Sequence, residues 1–162
     1  MTMKDLVQEI NGLHQRISFS DLWYCITLLL SKRSSCAKTQ QASLIVHDNR
    51  IISIGYNGPP SKSINCSEHE NPETVCGKDA LGSCLNGIHA EQNAIAFAAK
   101  YGVKLSDCEI YITQSPCINC AKLISASGIK KVFYINEYRL TEGIDFLNKH
   151  NVEVKKIDVI IK

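Results

Sequence analysis

The sequence predicts an α/β protein built in three layers, with a sheet between layers of helices. From residue 88 onward, strand-like and helix-like segments alternate, a pattern typical of parallel strands joined by helical connections. Before that point, two β-rich runs flank Asp48-Asn49, a dipeptide that favours a hairpin turn. A length of 162 residues with 44% hydrophobic and 21% charged residues suits one globular domain with a single core.

Local patterns place each element. Apolar residues at helical spacing mark the helices, and short β-rich runs mark the strands. Ser20 or Asp21 is the predicted cap of the first strong helix, while residues 1–19 form an N-terminal arm of weak helical character with no assigned role. The strong elements are predicted at residues 22–32 (helix), 43–46 and 50–54 (strands), 89–100 (helix), 109–113 (strand), 117–127 (helix), 131–135 (strand), 140–150 (helix) and 152–154 (strand).

Between the hairpin and the second strong helix, the sequence predicts no regular structure. Residues 55–60 are rich in turn-forming glycine, asparagine and proline. The following residues, 61–88, are polar, aperiodic and studded with cysteine. A loop of this length is usually functional or is ordered by something other than a core, so we interpret it as a metal-clipped insertion.

Charge and cysteine usage narrow the class of protein. A formal net charge of +2 indicates neither a polynucleotide nor a membrane as partner. The longest apolar run, residues 22–30, is too short to span a bilayer, and no targeting signal is recognised, so we predict a cytoplasmic protein. Eight cysteines in a reducing compartment indicate metal binding or catalysis. Cys25 and Cys108 lie in apolar patterns and are interpreted as inert core residues.

Two short motifs carry the predicted chemistry. His89-Ala90-Glu91 opens one predicted helix, and Pro116-Cys117-Ile118-Asn119-Cys120 opens the next. Two cysteines at this spacing can reach one tetrahedral metal, and His89 would be a third ligand. Three protein ligands leave a fourth position for water, which is typical of catalytic zinc. Glu91 would approach that water without binding the metal and would transfer its protons.

His-x-Glu followed by Pro-Cys-x-x-Cys resembles the signature of zinc-dependent nucleobase deaminases. The resemblance extends to four segments in the same order, at residues 29–36, 55–60, 88–95 and 115–122, and covers about residues 20–156. These segments are similar to the deoxycytidylate (dCMP) deaminase family. Membership implies hydrolysis of dCMP to dUMP and ammonia for thymidylate synthesis. It also implies the cytidine deaminase fold, a five-stranded mixed sheet flanked by helices.

The same resemblance implies residues that bind the substrate. Asn57 would contact the sugar, the backbone around Ala90 would contact the base carbonyl, and the backbone of Ser115 would contact the exocyclic amine. Tyr138-Arg139 match a pair that closes over the nucleotide near its phosphate. Arg139 suits that role because its planar fork donates two hydrogen bonds to a phosphate.

Four further cysteines match a second, structural zinc site found in members of the resembled family. These are Cys36, Cys66, Cys76 and Cys84. Four thiolates form a closed tetrahedral site, which would order a segment poor in apolar residues. At the third position His69 competes with Cys76, and we favour Cys76 because thiolates suit a closed zinc site.

The resemblance also implies regulation and assembly. Many members are homohexamers that dCTP activates and dTTP inhibits, and a triphosphate effector would bring Mg²⁺. The corresponding effector region contains Gly55, Tyr56 and Gly58, and Lys32 and Arg33 match basic positions that would serve the effector or a subunit interface. Glycines at such a turn would let the backbone approach phosphate groups closely.

Two alternatives remain open. The substrate could be another cytosine nucleotide, such as dCTP or a modified dCMP. A polynucleotide deaminase would more often have a basic surface, which a net charge of +2 does not indicate. Alternatively, the chain could be a non-catalytic zinc-binding interaction module, in which case Glu91 would have no role.

Overall fold

A computed structural model describes residues 2–71, 77–80, 82 and 84–157. Its five strands form one mixed sheet in the order β2-β1-β3-β4-β5. β1 pairs antiparallel with β2 and β3, whereas β3, β4 and β5 run parallel, as predicted for the second half. The elements are α1 (Met3–Asn11), α2 (Phe19–Ser31), β1 (Ala42–His47), β2 (Arg50–Tyr56), α3 (Ala90–Lys100), β3 (Glu109–Gln114), α4 (Ile118–Ala126), β4 (Lys131–Asn136), α5 (Glu142–Lys149) and β5 (Glu153–Lys156).

The sheet separates two apolar clusters, which confirms the three-layer prediction. Side chains alternate between the faces of a strand, so β1 sends Leu44 to one face and Ile45 to the other. On the first face, Leu44 packs with Trp23 of α2. On the second face, Ile45 belongs to a larger cluster that includes Ala94 of α3 and Ile124 of α4.

The first hairpin confirms its turn prediction and corrects its length. Asp48 and Asn49 have φ angles of 47° and 55°, the left-handed conformation that a two-residue turn requires. However, β2 continues through Tyr56, because Gly55 pairs with Ser43 and Tyr56 pairs with Ala42 on β1. The prediction that residues 55 and 56 lie in a break was therefore wrong.

The cap of α2 also differs from the prediction. The helix begins at Phe19, and the Ser18 hydroxyl accepts a hydrogen bond from the backbone N–H of Asp21 at 3.1 Å. Ser20 and Asp21 lie inside the first turn, where an acidic side chain interacts favourably with the helix dipole. The predicted caps were wrong by two or three residues because several adjacent residues are good capping residues.

The remaining segments are short or irregular. The N-terminal arm contains α1, which begins at a Thr2–Asp5 capping box and ends before Gly12. In the described part of residues 61–88, a short 3-10 helix spans Cys66–Glu68. Gly58 pairs with Ile88 by an isolated bridge, which closes this insertion at its base. Among the residues described, no helix has both the length and the apolar character needed to cross a membrane.

Candidate active site

The two predicted motifs meet where α3 and α4 begin. His89 is the N-cap of α3, and its backbone N–H donates to Gln92 Oε1 at 2.9 Å. Cys117 is the N-cap of α4, and Cys120 lies in the first turn of that helix. Both caps have extended backbone, so the chain turns sharply into each helix. As a result, two helix N-termini with positive dipole ends face one small volume.

The side chains of this volume form a donor set suited to zinc. His89 Nδ1 lies 3.6 Å from Cys117 Sγ and 3.4 Å from Cys120 Sγ. Bonds of about 2.3 Å to sulfur and about 2.0 Å to nitrogen in a tetrahedral site require nitrogen and sulfur about 3.5 Å apart. The observed separations match that requirement, and Nδ1 is the nitrogen that faces both sulfurs. These three residues could therefore hold one zinc ion.

Hydrogen bonding prepares one of the thiols to bind a cation. The hydrogen bond from Cys120, together with one from His89, lowers the pKa of the Cys117 thiol to about 4. The same hydrogen bond raises the pKa of Cys120, and the contact with Cys117 raises the pKa of His89. The lowered pKa favours the thiolate form of Cys117, which is the form that binds metals.

Glu91 lies on the first turn of α3 and is 8% exposed. Burial raises the pKa of its carboxyl group, while hydrogen bonds to its own backbone and to Cys120 oppose that shift. Buried carboxyl groups with a raised pKa are typical of residues that act as general acids and bases. Its position beside the donor set, together with this pKa, suits a group that transfers protons.

A cavity of about 340 Å³ opens from the donor set toward solvent. This volume lies in the range of small-molecule sites, about 300–1,000 Å³. His89, Glu91 and Cys117 line one part of it. The cavity also brings together the residues predicted to bind the substrate, which are Asn57, Ala90, Ser115, Tyr138 and Arg139, and it includes Gly58.

Ser115 connects the donor set with the Tyr138-Arg139 pair. Its backbone N–H donates to the Asn136 carbonyl at 2.8 Å, and its hydroxyl accepts from the Tyr138 N–H at 2.7 Å. Ser115 is 3% exposed, and its bond to Tyr138 is partly buried. The Arg139 guanidinium lies 5.6 Å from the centre of the Tyr138 ring, which orients it at the cavity wall.

Asn57 lines the cavity and also connects separate segments of the chain through hydrogen bonds of its side chain. Its Oδ1 accepts from Ser34 Oγ at 2.6 Å and from the Gln41 N–H at 2.8 Å. Its Nδ2 donates to the Thr39 carbonyl at 2.9 Å. Asn57 therefore joins the end of β2 to the segment between α2 and β1, a role that the predicted sugar contact did not include.

The sequence motifs missed several polar residues of the cavity wall. Gln41 and Gln114 line it, and Gln41 Nε2 lies 3.4 Å from Gln114 Oε1. Gln41 Oε1 also accepts from the Thr113 hydroxyl. Lys38 contributes a cation. Only the position of Gln114, immediately before Ser115 at a strand end, could have indicated its place.

The second predicted metal site is not confirmed. Cys36, Cys66 and Cys84 all line the cavity, and the Ser67 N–H donates to the Ser35 carbonyl at 3.1 Å, which brings two of these segments together. Cys76 lies outside the described residues. Among those described, including His69, His89 with Cys117 and Cys120 is the one group of three or more whose ligand atoms all lie within 4.8 Å of one another.

The predicted effector residues lie away from the cavity wall, except Gly58. Lys32 Nζ donates to Gln40 Oε1 at 3.2 Å, and Arg33 is exposed. Gly55 and Tyr56 belong to β2 and contact α3. Cys108, predicted to be inert, is fully buried, Cys25 is half-buried, and burial raises the pKa of both thiols.

Comparisons with known proteins agree with this geometry. ComE operon protein 2 of Bacillus subtilis is 38% identical over 125 residues, which cover 77% of this chain and 63% of that protein. Deoxycytidylate deaminase of Enterobacteria phage T4 is 34% identical over 145 residues, covering 70% of this chain and 75% of the phage protein. The crystal structure of dCMP deaminase from cyanophage S-TIM5 in complex with dCMP and dUMP is 35% identical. It superposes with a TM-score of 0.74 and covers 89% of this chain and all of that one.

A family model described as the cytidine and deoxycytidylate deaminase zinc-binding region matches residues 20–136. That range contains four of the five strands, β1 to β4, and the site residues His89, Glu91, Cys117 and Cys120. With the zinc-compatible donor set, the buried carboxyl group and the mixed five-stranded sheet in place, the chain belongs to the family of zinc-binding cytidine and deoxycytidylate deaminases.

Proposed function

We propose that this chain is a deoxycytidylate deaminase, which hydrolyses dCMP to dUMP and ammonia. The observation that carries the proposal is one cavity whose wall contains His89 and Cys117 of the donor set, the buried Glu91 and Arg139. Cys120 lies behind that wall and completes the donor set. The names of the T4 and S-TIM5 relatives support the same substrate.

Glu91 performs the proton transfers of this reaction. When bound to the donor set, zinc lowers the pKa of a water molecule and so supplies a nucleophile at neutral pH. Glu91 accepts the proton of the attacking water and delivers it to the ring nitrogen beside the amine-bearing carbon. It then accepts the remaining proton of the added hydroxyl group and delivers it to the exocyclic amine, which leaves as ammonia while the new carbonyl forms. One carboxyl group serves these steps because the atoms involved lie within one small volume, and its raised pKa lets it hold the proton between them.

The remaining wall orients the nucleotide. The backbone around Ala90 binds the base carbonyl, and the backbone carbonyl of Ser115 accepts a hydrogen bond from the exocyclic amine. Asn57 contacts the sugar from the side of β2. Arg139 binds the phosphate. It is kept close to the part of the cavity that binds the base, because the N–H of the neighbouring Tyr138 donates a hydrogen bond to the Ser115 hydroxyl. A monophosphate substrate is favoured, since Arg139 and Lys38 are the cations that line the cavity among the described residues.

Steady-state kinetics on dCMP, dCTP, CMP and deoxycytidine tests the proposal, with Glu91→Gln as the matched control. We expect ammonia release to be fastest from dCMP and to fall by about 10²–10⁴-fold in the variant. A preference for dCTP would contradict the assignment of dCMP and identify dCTP as the substrate. No ammonia from any of the four would favour a zinc-binding interaction module instead.

Regulation and assembly are further parts of the proposal. The chain forms a homohexamer in the cytoplasm, and dCTP with Mg²⁺ activates it while dTTP inhibits it. Sedimentation velocity and dCMP saturation curves with each effector test this. A monomer with a hyperbolic curve that neither nucleotide shifts would contradict it.

We also propose a second zinc ion held by Cys36, Cys66, Cys76 and Cys84. The support is that three of these cysteines line one cavity of the described structure and that thiolates suit a closed zinc site. Metal analysis of the purified protein should find about two zinc ions per chain. Finding one ion would refute the second site, and Cys76→Ser compared with His69→Ala identifies the third ligand.

A further inference from the structure

Each of the two helices that begin at the donor set lies against a glycine. A Cβ atom at Gly55 on β2 would lie 2.2 Å from the Ala90 carbonyl oxygen and 2.5 Å from the Ala94 nitrogen of α3. A Cβ atom at Gly143, in the first turn of α5, would lie 2.0 Å from the Pro116 carbonyl oxygen, just before α4. Ordinary contact begins at 3.4 Å, so neither position has room for a methyl group.

The atoms in these contacts belong to the backbone, so they cannot rotate away as a side chain could. Neither glycine has a left-handed φ angle, which means that the requirement for glycine is one of space. A side chain at either glycine would require the two backbone segments in contact to move apart by about 1 Å. Metal sites tolerate deviations of about 0.2 Å in ligand distances, so such a shift would matter most at the donor set.

Two hydrogen bonds hold α3 against β2 on either side of Gly55. The Ser53 hydroxyl donates to the Ala94 carbonyl at 2.7 Å in a buried position. Asn93 Nδ2 donates to the Tyr56 carbonyl at 2.7 Å. These bonds draw the helix toward the strand, and Gly55 determines how closely it approaches. Together they fix the distance between β2 and α3, the helix that His89 caps.

The cysteine side of the donor set is held between two elements. On one side, the backbone N–H of Ser115 donates a hydrogen bond to the carbonyl of Asn136 at the end of β4. Gly143 meets the Pro116 carbonyl from α5, where it is buried in the first turn. The turn that carries Cys117 therefore has a fixed position between β4 and α5.

We propose that Gly55 and Gly143 are positioning residues for the metal centre, each setting one half of the donor set relative to the other. Gly55 sets His89 and Glu91 through α3, and Gly143 sets Cys117 and Cys120 through the turn before α4. The proposal rests on the zinc site of the proposed function and assigns to Gly55 a role different from effector binding.

Zinc affinity tests the proposal directly. Gly55→Ala and Gly143→Ala are compared with Gly12→Ala, where the nearest atom to a new Cβ is the Glu9 carbonyl oxygen of α1 at 3.3 Å. All variants carry Cys36→Ser, which removes a ligand of the second proposed zinc site. Competition with a chelator then gives the zinc dissociation constant of the donor set, and the visible absorption of the Co²⁺-loaded protein reports its ligand geometry. We expect binding at least about tenfold weaker and an altered Co²⁺ spectrum in the first two variants, with no change in the third.

Thermal unfolding separates positioning from simple packing. A ligand that binds only the folded protein stabilises it in proportion to the logarithm of its affinity. If the glycines position the metal centre, the gain in Tm on adding zinc shrinks in both variants. If they matter for packing alone, apo and zinc-loaded proteins lose stability equally and the dissociation constant is unchanged, which overturns the proposal.

A milder variant covers the case in which the alanine variants do not fold. Ser53→Ala combined with Asn93→Ala removes both hydrogen bonds that hold α3 against β2 and adds no atoms. It should weaken zinc binding and change the Co²⁺ spectrum, and unchanged values would contradict the positioning role. A wild-type protein that binds no zinc would instead refute the proposed function, so the two failures are distinguishable.

Discussion

Replacing Asn57 by alanine tests whether this residue acts through the fold or through the substrate alone. Its side chain makes three hydrogen bonds, to Ser34 Oγ, the Gln41 N–H and the Thr39 carbonyl. At about 1 kcal/mol for each bond, Asn57→Ala should lower the free energy of unfolding by about 3 kcal/mol. The segment thus released carries Gln41 and Lys38, so kcat/KM for dCMP should fall as well.

Urea unfolding followed by circular dichroism measures the change. Asn65→Ala is a matched control, because that side chain makes one exposed hydrogen bond, to Glu68, and its loss should cost less than about 0.5 kcal/mol. Ser34→Ala completes a double-mutant cycle, in which we expect a coupling energy of about 1 kcal/mol with Asn57→Ala. Wild-type stability in Asn57→Ala, combined with a collapse of kcat/KM, would show that Asn57 acts through the substrate alone and would refute this reasoning.

Three further predictions follow from charge, burial and pH. Arg139→Ala removes the proposed phosphate contact and should reduce the preference for dCMP over deoxycytidine by about 10–100-fold, with Arg139→Lys intermediate; equal losses on both substrates would contradict that role. Ile124→Ala opens a cavity in the fully buried core and should cost about 2–5 kcal/mol in urea unfolding, whereas a loss below 1 kcal/mol would mean that the core closes around it. Burial raises the pKa of the Tyr111 phenol, so above about pH 10 only the unfolded chain ionises it and stability falls. Tyr111→Phe should remove a loss of about 1.4 kcal/mol per pH unit in that range, and identical slopes in urea titrations of both proteins would refute it.

The donor set could be predicted from the sequence because each of its parts is local. His89 and Glu91 lie within three residues, Cys117 and Cys120 within four, and each pair opens a helix whose apolar periodicity is clear. The hairpin at Asp48-Asn49 is local in the same sense, since both residues adopt the left-handed conformation readily. The mixed sheet followed from family resemblance, and only its parallel half followed from the alternation of elements.

Contacts between distant segments could not be predicted. Gly55 and Tyr56 resemble a turn locally, yet the backbone of β1 supplies hydrogen bonds that extend the strand through them. Gln41 and Gln114 are 73 residues apart and carry no motif, and they meet because β1 and β3 are neighbours in the sheet. The effector role of Gly55 was implied by family resemblance, whereas the structure shows that a side chain at this position would meet the backbone of α3.

Under the proposed function, Ser115 would make phosphate recognition and deamination depend on each other. Its hydroxyl accepts from the Tyr138 N–H, while the next residue, Pro116, leads directly into the turn that carries Cys117. A nucleotide whose phosphate draws Arg139 inward must therefore act on the same short segment that places a metal-binding sulfur. Because Gly143 also packs closely against the Pro116 carbonyl, this segment has little room to move when a ligand fits poorly. Under the proposed function, substrates with and without a correctly placed phosphate should therefore differ in kcat as well as in KM. The reason is that a misplaced phosphate would displace the donor set itself.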